Sequence, residues 1–333
     1  LAPAPAAGSR QWQATPWAGS LKATYMVLYI FRRLLQAVPT LLLVITLSFF
    51  LMRLAPGGPF DSDIQAPPEI EANLKAAYHL DQPLLTQYFL YLGNLAQGDL
   101  GPSFKYRDRS VNDLIATGFP VSARLGLWAM ALALLVGVPL GIWAAMRHNR
   151  ATDHAVMGVA LAGIAIPNFV VAPVLALLFS VTLGWLPAGG WGDGQWRYIL
   201  LPVVALAIPQ VAYIARLMRG SMIETMNSPH IRTARAKGLS AIEVVLHHAL
   251  RPALAPLLSY LGPAMVGIVT GSVVIEQIFG LPGIGRYFVQ AALSRDYTLV
   301  MGVVVFYGVL IVLFNLLVDL LYGLLNPQIR YED

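Results

Sequence analysis

Cysteine is absent from the 333 residues. That excludes a disulfide framework, a thiolate metal site and a thiol nucleophile, and it leaves the redox compartment unread. Charge is scarce as well: Asp, Glu, Lys and Arg make up 12% of the chain against 57% hydrophobic residues, where an average soluble domain carries roughly 25% charge. No G-x-x-x-x-G-K-[ST] phosphate loop occurs, since Lys237-Gly238 has the two residues in the wrong order and no glycine-rich lead. Neither H-E-x-x-H nor G-x-S-x-G is present, so a protease or acyl hydrolase lacks its usual parts and no catalytic residue is expected. The six histidines include the neighbours His247 and His248, but adjacent helical side chains point about 100° apart and do not share an ion, so no metal site is expected either. The net charge of +5 is spread over several loops without a dense patch, which argues against a nucleic-acid partner.

What the chain has in abundance is long apolar runs, and its mean hydropathy is +0.64. Six segments reach the length of a tilted transmembrane helix: 30–54, 120–146, 154–183, 198–218, 253–279 and 298–325. Strand-length alternation is missing, which argues against a β-barrel. The expected fold is therefore an all-α membrane protein of six transmembrane helices, with the lipid bilayer as its first partner. Eight cations (Arg147, Arg150, Arg216, Arg219, Arg232, Arg235, Lys237 and Arg251) cluster on one side of the short connections, against Arg197, Arg286 and Arg295 on the other. The positive-inside rule puts the richer side in the cytoplasm, and Lys22, Arg32 and Arg33 agree, so both termini are expected inside. Residues 1–29, rich in Ala, Pro and Gly at the start, read as a cytoplasmic N-terminal tail, and 326–333 as a cytoplasmic C-terminal tail. The 65 residues 55–119 are too long for a connector and read as a folded outer lobe, with a helical patch at 69–78.

The most informative stretch is the connection 219–252, within the core 120–325. Asn227, Ser228 and Pro229 supply a helix start. "HIRTARAKG" then runs as a short helix to Gly238, whose freedom suits a left-handed stop. Ser240 and Glu243 form a capping-box pair that starts a second helix, expected to run to Arg251 and turn at Pro252. Two short helices joined at a glycine make a rigid elbow. Arg232, Arg235 and Lys237 are expected to be exposed, with Ala234 and Ala236 small enough for a close partner.

"RTARAKGL", followed by "HALRPAL", resembles the EAA loop of bacterial ABC-importer permeases of the peptide branch, although Arg232, Thr233 and Ala234 stand where the general pattern has Glu-Ala-Ala. "ITLSFFLMRLAPGGPF", "GPSFKYRDRSVNDL", "GSVVIEQIFGLPGIG", "RDYTLV" and "NPQIRY" extend the resemblance over most of the chain, to the oligopeptide branch of the peptide/nickel-importer permease family. The resemblance implies a type I ABC importer permease fold with a periplasmic lobe, in the bacterial inner membrane. It implies a second homologous permease subunit as a heterodimer partner, two ATP-binding subunits and an extracytoplasmic peptide-binding protein. ATP and Mg are then expected in the partner ATPase subunits, with no cofactor in this chain. ATPase coupling is assigned to Arg232, Thr233, Ala234, Arg235, Ala236, Lys237, Gly238, Leu239, Glu243 and Arg251. A dipeptide, nickel or another solute stays open as cargo. An ion-coupled carrier is the rival from another class, distinguished by transporting without an ATPase.

Polar residues inside spans mark candidate pathways. Those here are Asn168 and Gln210 beside Pro167 and Pro209, Glu276 near the outer end of the fifth span, and Asn315 on the sixth. Asp319, four residues beyond Asn315, reads as glue between helices near the inner surface. Gly137/Gly141 and Gly267/Gly271 are spaced for close helix approach.

Overall fold

The computed structural model describes residues 18–54, 76, 79–106 and 108–325. Among the described residues there is no strand, only an isolated bridge between Pro102 and Ser110. The longer helices among the described residues are α1 (Ala18–Leu54), α2 (Leu84–Ala96), α3 (Val111–Met146), α4 (Ala151–Ala165), α5 (Asn168–Ala176), α6 (Trp196–Met226), α7 (Pro229–Ala236), α8 (Ala255–Gly271), α9 (Val273–Phe279), α10 (Ile284–Leu293) and α11 (Tyr297–Leu325), and the short pieces Ala241–Glu243, Val244–Ala249 and Leu250–Ala253 form a second elbow helix between α7 and α8. Among the described residues, five helices are long and apolar enough to span a membrane, and a bent pair makes up to six.

α1 begins at Ala18, inside the stretch expected to be a tail, and the fifth span is divided at Ser272 into α8 and α9; four further departures each have a local reason. The second span belongs to a helix that begins at Val111, because Ser110 and Asp113 close a capping box there, nine residues before the apolar run. The third span is broken: α4 and α5 meet at 99°. Ile166 precedes Pro167, is pushed out of the helical region to φ −84°, ψ 119°, and the helix cannot continue. α6 runs on to Met226, two turns past the expected end. At Pro252 there is no turn; the chain stays in the right-handed helical region through Val244, Leu250 and Leu254 into α8. A wide π turn, Val244–Ala249, lies just before Pro252, whose missing N–H deprives the His248 carbonyl of its usual donor. The outer lobe is described only from 79 onward apart from Ala76, so the patch expected at 69–78 lies otherwise outside the described residues, as do residues 1–17 and 326–333.

The bundle is organised around α3 and α6. In lipid there is no hydrophobic gain from joining helices, so contact depends on how closely the backbones fit. A Cβ at Gly137 would lie 2.9 Å from the Ile214 side chain and from the Val211 carbonyl, and one at Gly141 would lie 2.5 Å from the Ala215 carbonyl. These glycines are a packing pair, as expected. Gly267 is not, since nothing lies within 4 Å of where its Cβ would be. Leu125, Ala129, Ala133, Ile214, Met218 and Met222 form the buried seam. A second cluster, Val111, Leu114, Ile284, Leu299 and Val303, closes the far end against α10 and α11.

α1 is the loosest span, with only 11% of its apolar window buried. Among the contacts that hold it, Arg33 pairs with Asp319 of α11 at 3.1 Å, Thr46 shares a 2.7 Å hydrogen bond with Tyr88 of α2, and Phe49 is fully buried against Tyr88 and Tyr91. Asp319 is thus glue between two helices, as read from its position.

Gly141→Leu should destabilise the isolated subunit by roughly 1–3 kcal/mol, the usual cost of overpacking, while Gly267→Ala should leave it unchanged. Thermal unfolding in detergent separates the two.

Candidate functional site

The elbow forms between α6 and α8. Pro229 occupies the first turn of α7 after Ser228 in extended conformation. The Ser228 hydroxyl does not cap the helix but donates to the Thr225 carbonyl at 2.6 Å, tying α7 to the end of α6. Lys237 and Gly238 close the helix through bonds to Thr233 and Arg235 carbonyls at 3.1 and 2.9 Å, and Gly238 sits at φ +82°. That left-handed backbone is open to glycine at no steric cost and closed to proline. Ser240 then starts the second helix. Its backbone N–H and hydroxyl donate to Glu243 Oε2 at 2.9 and 2.8 Å, and the Glu243 N–H returns to Ser240 Oγ at 3.4 Å.

The elbow has two faces. Ile231, Ala234, Val244, Val245, Ala249 and Ala253 are buried and continuous with the α3/α6 seam, and Ser221 on α6 donates to the Ala253 carbonyl at 2.9 Å. Ala234 therefore packs inward and is not the partner contact expected of it; Ile231 three residues earlier shares its face. Leu239 is half-buried and packs on the same cluster. Arg232, Thr233, Arg235, Ala236, Lys237, Gly238, Glu243 and Arg251 are exposed. The sequence reading missed Ile242 and Leu246, 72% and 53% exposed, which lie one turn apart in the second arm of the elbow. Their spacing of four was the available signal.

A second missed feature braces the same end of the bundle. Asp153 in α4 is fully buried and accepts from Arg219 Nε at 2.5 Å, Arg219 Nη2 at 2.7 Å and the Asn149 N–H at 2.9 Å, with His148 Nδ1 at 3.5 Å. Arg219, one of the cations of the short connections, is spent on this fork, which locks the α3–α4 turn to α6.

The four residues assigned to a pathway are not brought together. Asn168 begins α5 at the bend, its side-chain oxygen buried without a partner among the described residues. Asn315 is half-buried on α11. Glu276 is fully buried and open to no pathway here. It accepts from Ser122 at 2.6 Å, from Ser272 and from the Arg286 N–H at 3.1 Å, while Ser122 Oγ accepts the Ile284 N–H at 3.0 Å. Glu276, a pathway candidate by its place in the fifth span, is instead a clamp that holds the "GLPGIG" turn onto α3, because a carboxylate away from water needs this many donors.

Gln210 alone lies beside an opening, receiving a 2.7 Å bond from Tyr260. Tyr260 stacks on Tyr213 with centroids 5.9 Å apart, and a pocket of about 460 Å³ lies between α6 and α8, lined by these two tyrosines, Arg216, Gly220, Glu224 and Pro256. Tyr213, Arg216, Gly220 and Glu224 are exposed along one face of α6. Gly220, like Gly267 on α8, looks into open space. A spanning helix that carries a polar stripe beside open glycines is built to face water or a polar solute, not lipid.

The helical bundle, with its broken third span and its elbow between the fourth and fifth, is that of an inner-membrane transport permease. Residues 137–331 match the family of binding-protein-dependent transport system inner membrane components, and the chain belongs to that family. It is 58% identical to the oligopeptide transport system permease protein OppB of Haemophilus influenzae, over 92% of this chain and 100% of the relative, and 56% identical to OppB of Escherichia coli over the same shares. The dipeptide transport system permease protein DppB of Bacillus subtilis is 45% identical, over 92% and 98%. In fold, the chain is similar to inward-facing structures of the methionine ABC transporter MetNI. Two of these give TM-scores of 0.56 and 0.51 at 18% identity, covering 64% of this chain and 96% of theirs. The type I importer permease fold expected from the motifs is thus the observed one.

Ser240 hydrogen bonds hold the Glu243 carboxyl below its usual range. A lowered folded-state value means the stability it adds is present above the ordinary glutamate pKa of about 4.3 and is lost as pH falls through the folded value. Hydrogen-exchange protection of the Ser240 N–H should therefore fade on acidification below about pH 4, and Glu243→Gln should remove that pH dependence.

Proposed function

We propose that this chain is the membrane-spanning subunit of an ATP-driven importer of oligopeptides, and that the elbow at Gly238 is where an ATPase subunit outside this polypeptide grips it. The observation that carries this reading is the division of the elbow into two faces. One is welded into the α3/α6 seam, so that force on α7 is delivered to α6 and α8. The other leaves Arg232, Arg235 and Lys237 of α7 and Ile242 and Leu246 of the second arm exposed, a charged and apolar surface not used in packing among the described residues.

The oligopeptide assignment rests on the likeness to the OppB relatives, whose identity exceeds that to the dipeptide permease. The remaining partners follow from the family: a second permease subunit, two ATP-binding subunits that hold ATP and Mg, and an extracytoplasmic binding protein. The cation-rich end faces the cytoplasm, with both termini there. The passage for peptide runs along the Gln210, Tyr213, Arg216 and Tyr260 face, where aromatic rings and one cation meet solutes of mixed polarity, and against which the second permease would close.

Uptake of labelled peptide into vesicles holding the co-expressed complex tests this. Uptake should require both the ATPase and the second permease; import by this chain alone would make it a carrier. Gly238→Pro should abolish uptake while the subunit stays in the membrane, and Arg232→Glu with Arg235→Glu should weaken ATPase co-purification. Normal import by the proline variant removes the lever. Gly267→Trp, which fills open space on α8, should cut uptake at least tenfold with ATPase binding intact.

A further inference from the structure

A second polar pocket lies at the end of the bundle away from the elbow, where α1 finishes and α11 begins. It holds about 260 Å³ and is lined by Arg53, His79, Gln87, Tyr91, Asn94 and Thr298, with apolar neighbours and no carboxylate. The Arg53 guanidinium donates to Gln87 Oε1 and lies 4.7 Å from the centre of the Phe49 ring. The Gln87 amide donates to the Leu80 and Gln82 carbonyls at 3.2 and 2.7 Å, which turns its oxygen toward Arg53 and holds the guanidinium in place.

The donors are in excess. Arg53 Nε and the Tyr91 hydroxyl are both buried without a hydrogen-bond partner among the described residues, and no carboxylate among those residues pairs with Arg53. Asp296, two positions before Thr298, is fully buried and already taken by Ser103 at 2.5 Å and by Thr298 and the Lys105 and Leu299 N–H groups at 3.1 Å each. Burial pushes the Tyr91 hydroxyl up to about 12, so it remains a donor at any physiological pH. A cation and a phenol with unused donors in the wall of a cavity are complemented by an acceptor-only anion, and the planar guanidinium fork matches a carboxylate.

We propose that this pocket receives the C-terminal carboxylate of the peptide cargo, with Arg53 as the fork and Tyr91 as the added donor. This rests on the peptide reading above. Peptides of different sequence share few groups, and the terminal carboxylate is one that a sequence-tolerant importer can grip. The volume admits a terminal residue and not a folded segment, and the pocket lies at the end opposite the elbow, where incoming cargo arrives.

The test uses the assembled complex of this chain with its second permease and ATPase subunits. Arg53 is labelled with phenylglyoxal, an arginine-selective reagent, and the label is read by mass mapping. An N-acetylated tripeptide with a free C-terminus should slow labelling of Arg53 roughly tenfold or more, the scale of a charge-assisted contact, and its C-terminal amide should not. Equal protection by both peptides, protection by neither, or protection by the binding protein alone each overturns the proposal; the last would transfer the pocket to a docking carboxylate. In vesicles, Arg53→Lys, Arg53→Met and Tyr91→Phe should lower uptake of the free-acid peptide relative to the amide. A change that lowers both equally would mark Arg53 as structural and also overturn it. A complex that imports peptide with Arg53 unprotected sinks the pocket alone, whereas a complex that imports no peptide sinks the function on which it rests.

Discussion

The rest of the molecule depends on the backbone contact of α3 with α6. In a bilayer the tails are as apolar as the side chains, so two helices stay together only where their surfaces fit closely. Gly137 and Gly141 remove the side chains that would hold α3 off Val211, Ile214, Ala215 and Met218. α6 carries the elbow at one end and the stripe of Tyr213, Arg216 and Gly220 along its free face. Its place against α3 thus decides where both are presented.

Among the described residues, three fully buried carboxylates complete the frame, and they follow one rule. Asp153, Glu276 and Asp296 are each away from solvent, and each is surrounded by hydroxyl, amide or guanidinium donors. A carboxylate removed from water is tolerated only when its acceptor positions are filled. Filling them draws in loops that would otherwise be free: the α3–α4 turn at Asp153, the turn before α10 at Glu276, and the 103–105 loop at Asp296. Arg53 presents the converse case, a cation in a confined place whose donors are only partly used.

The elbow joins local to global structure. Its start, glycine stop and capping box are short-range chemistry, yet its use depends on Ile231 and Ala234 being sunk into the core while Arg232 and Arg235 are not. A lever needs a fixed end and a free end. The helical turn supplies both from residues three apart.

The sequence by itself determined the helical class, the number of apolar spans and the local chemistry of the elbow. Each of these depends on neighbours along the chain: runs of 20 or more apolar residues, Pro229 at a helix start, Gly238 at a helix stop, and Ser240 with Glu243 three apart. It also determined membership of the permease family, because motifs spread from Ile45 onward are linear features. Only the tertiary structure decided which charged residues are spent inside the fold. Arg219 read as a loop cation and Glu276 as a pathway residue because a linear chain does not display the distant partners that bury them, Asp153 in α4 and Ser122 in α3. Ile242 and Leu246 passed unnoticed for the same reason, since an apolar side chain on a short helix has no visible destination until the neighbouring helices have claimed theirs.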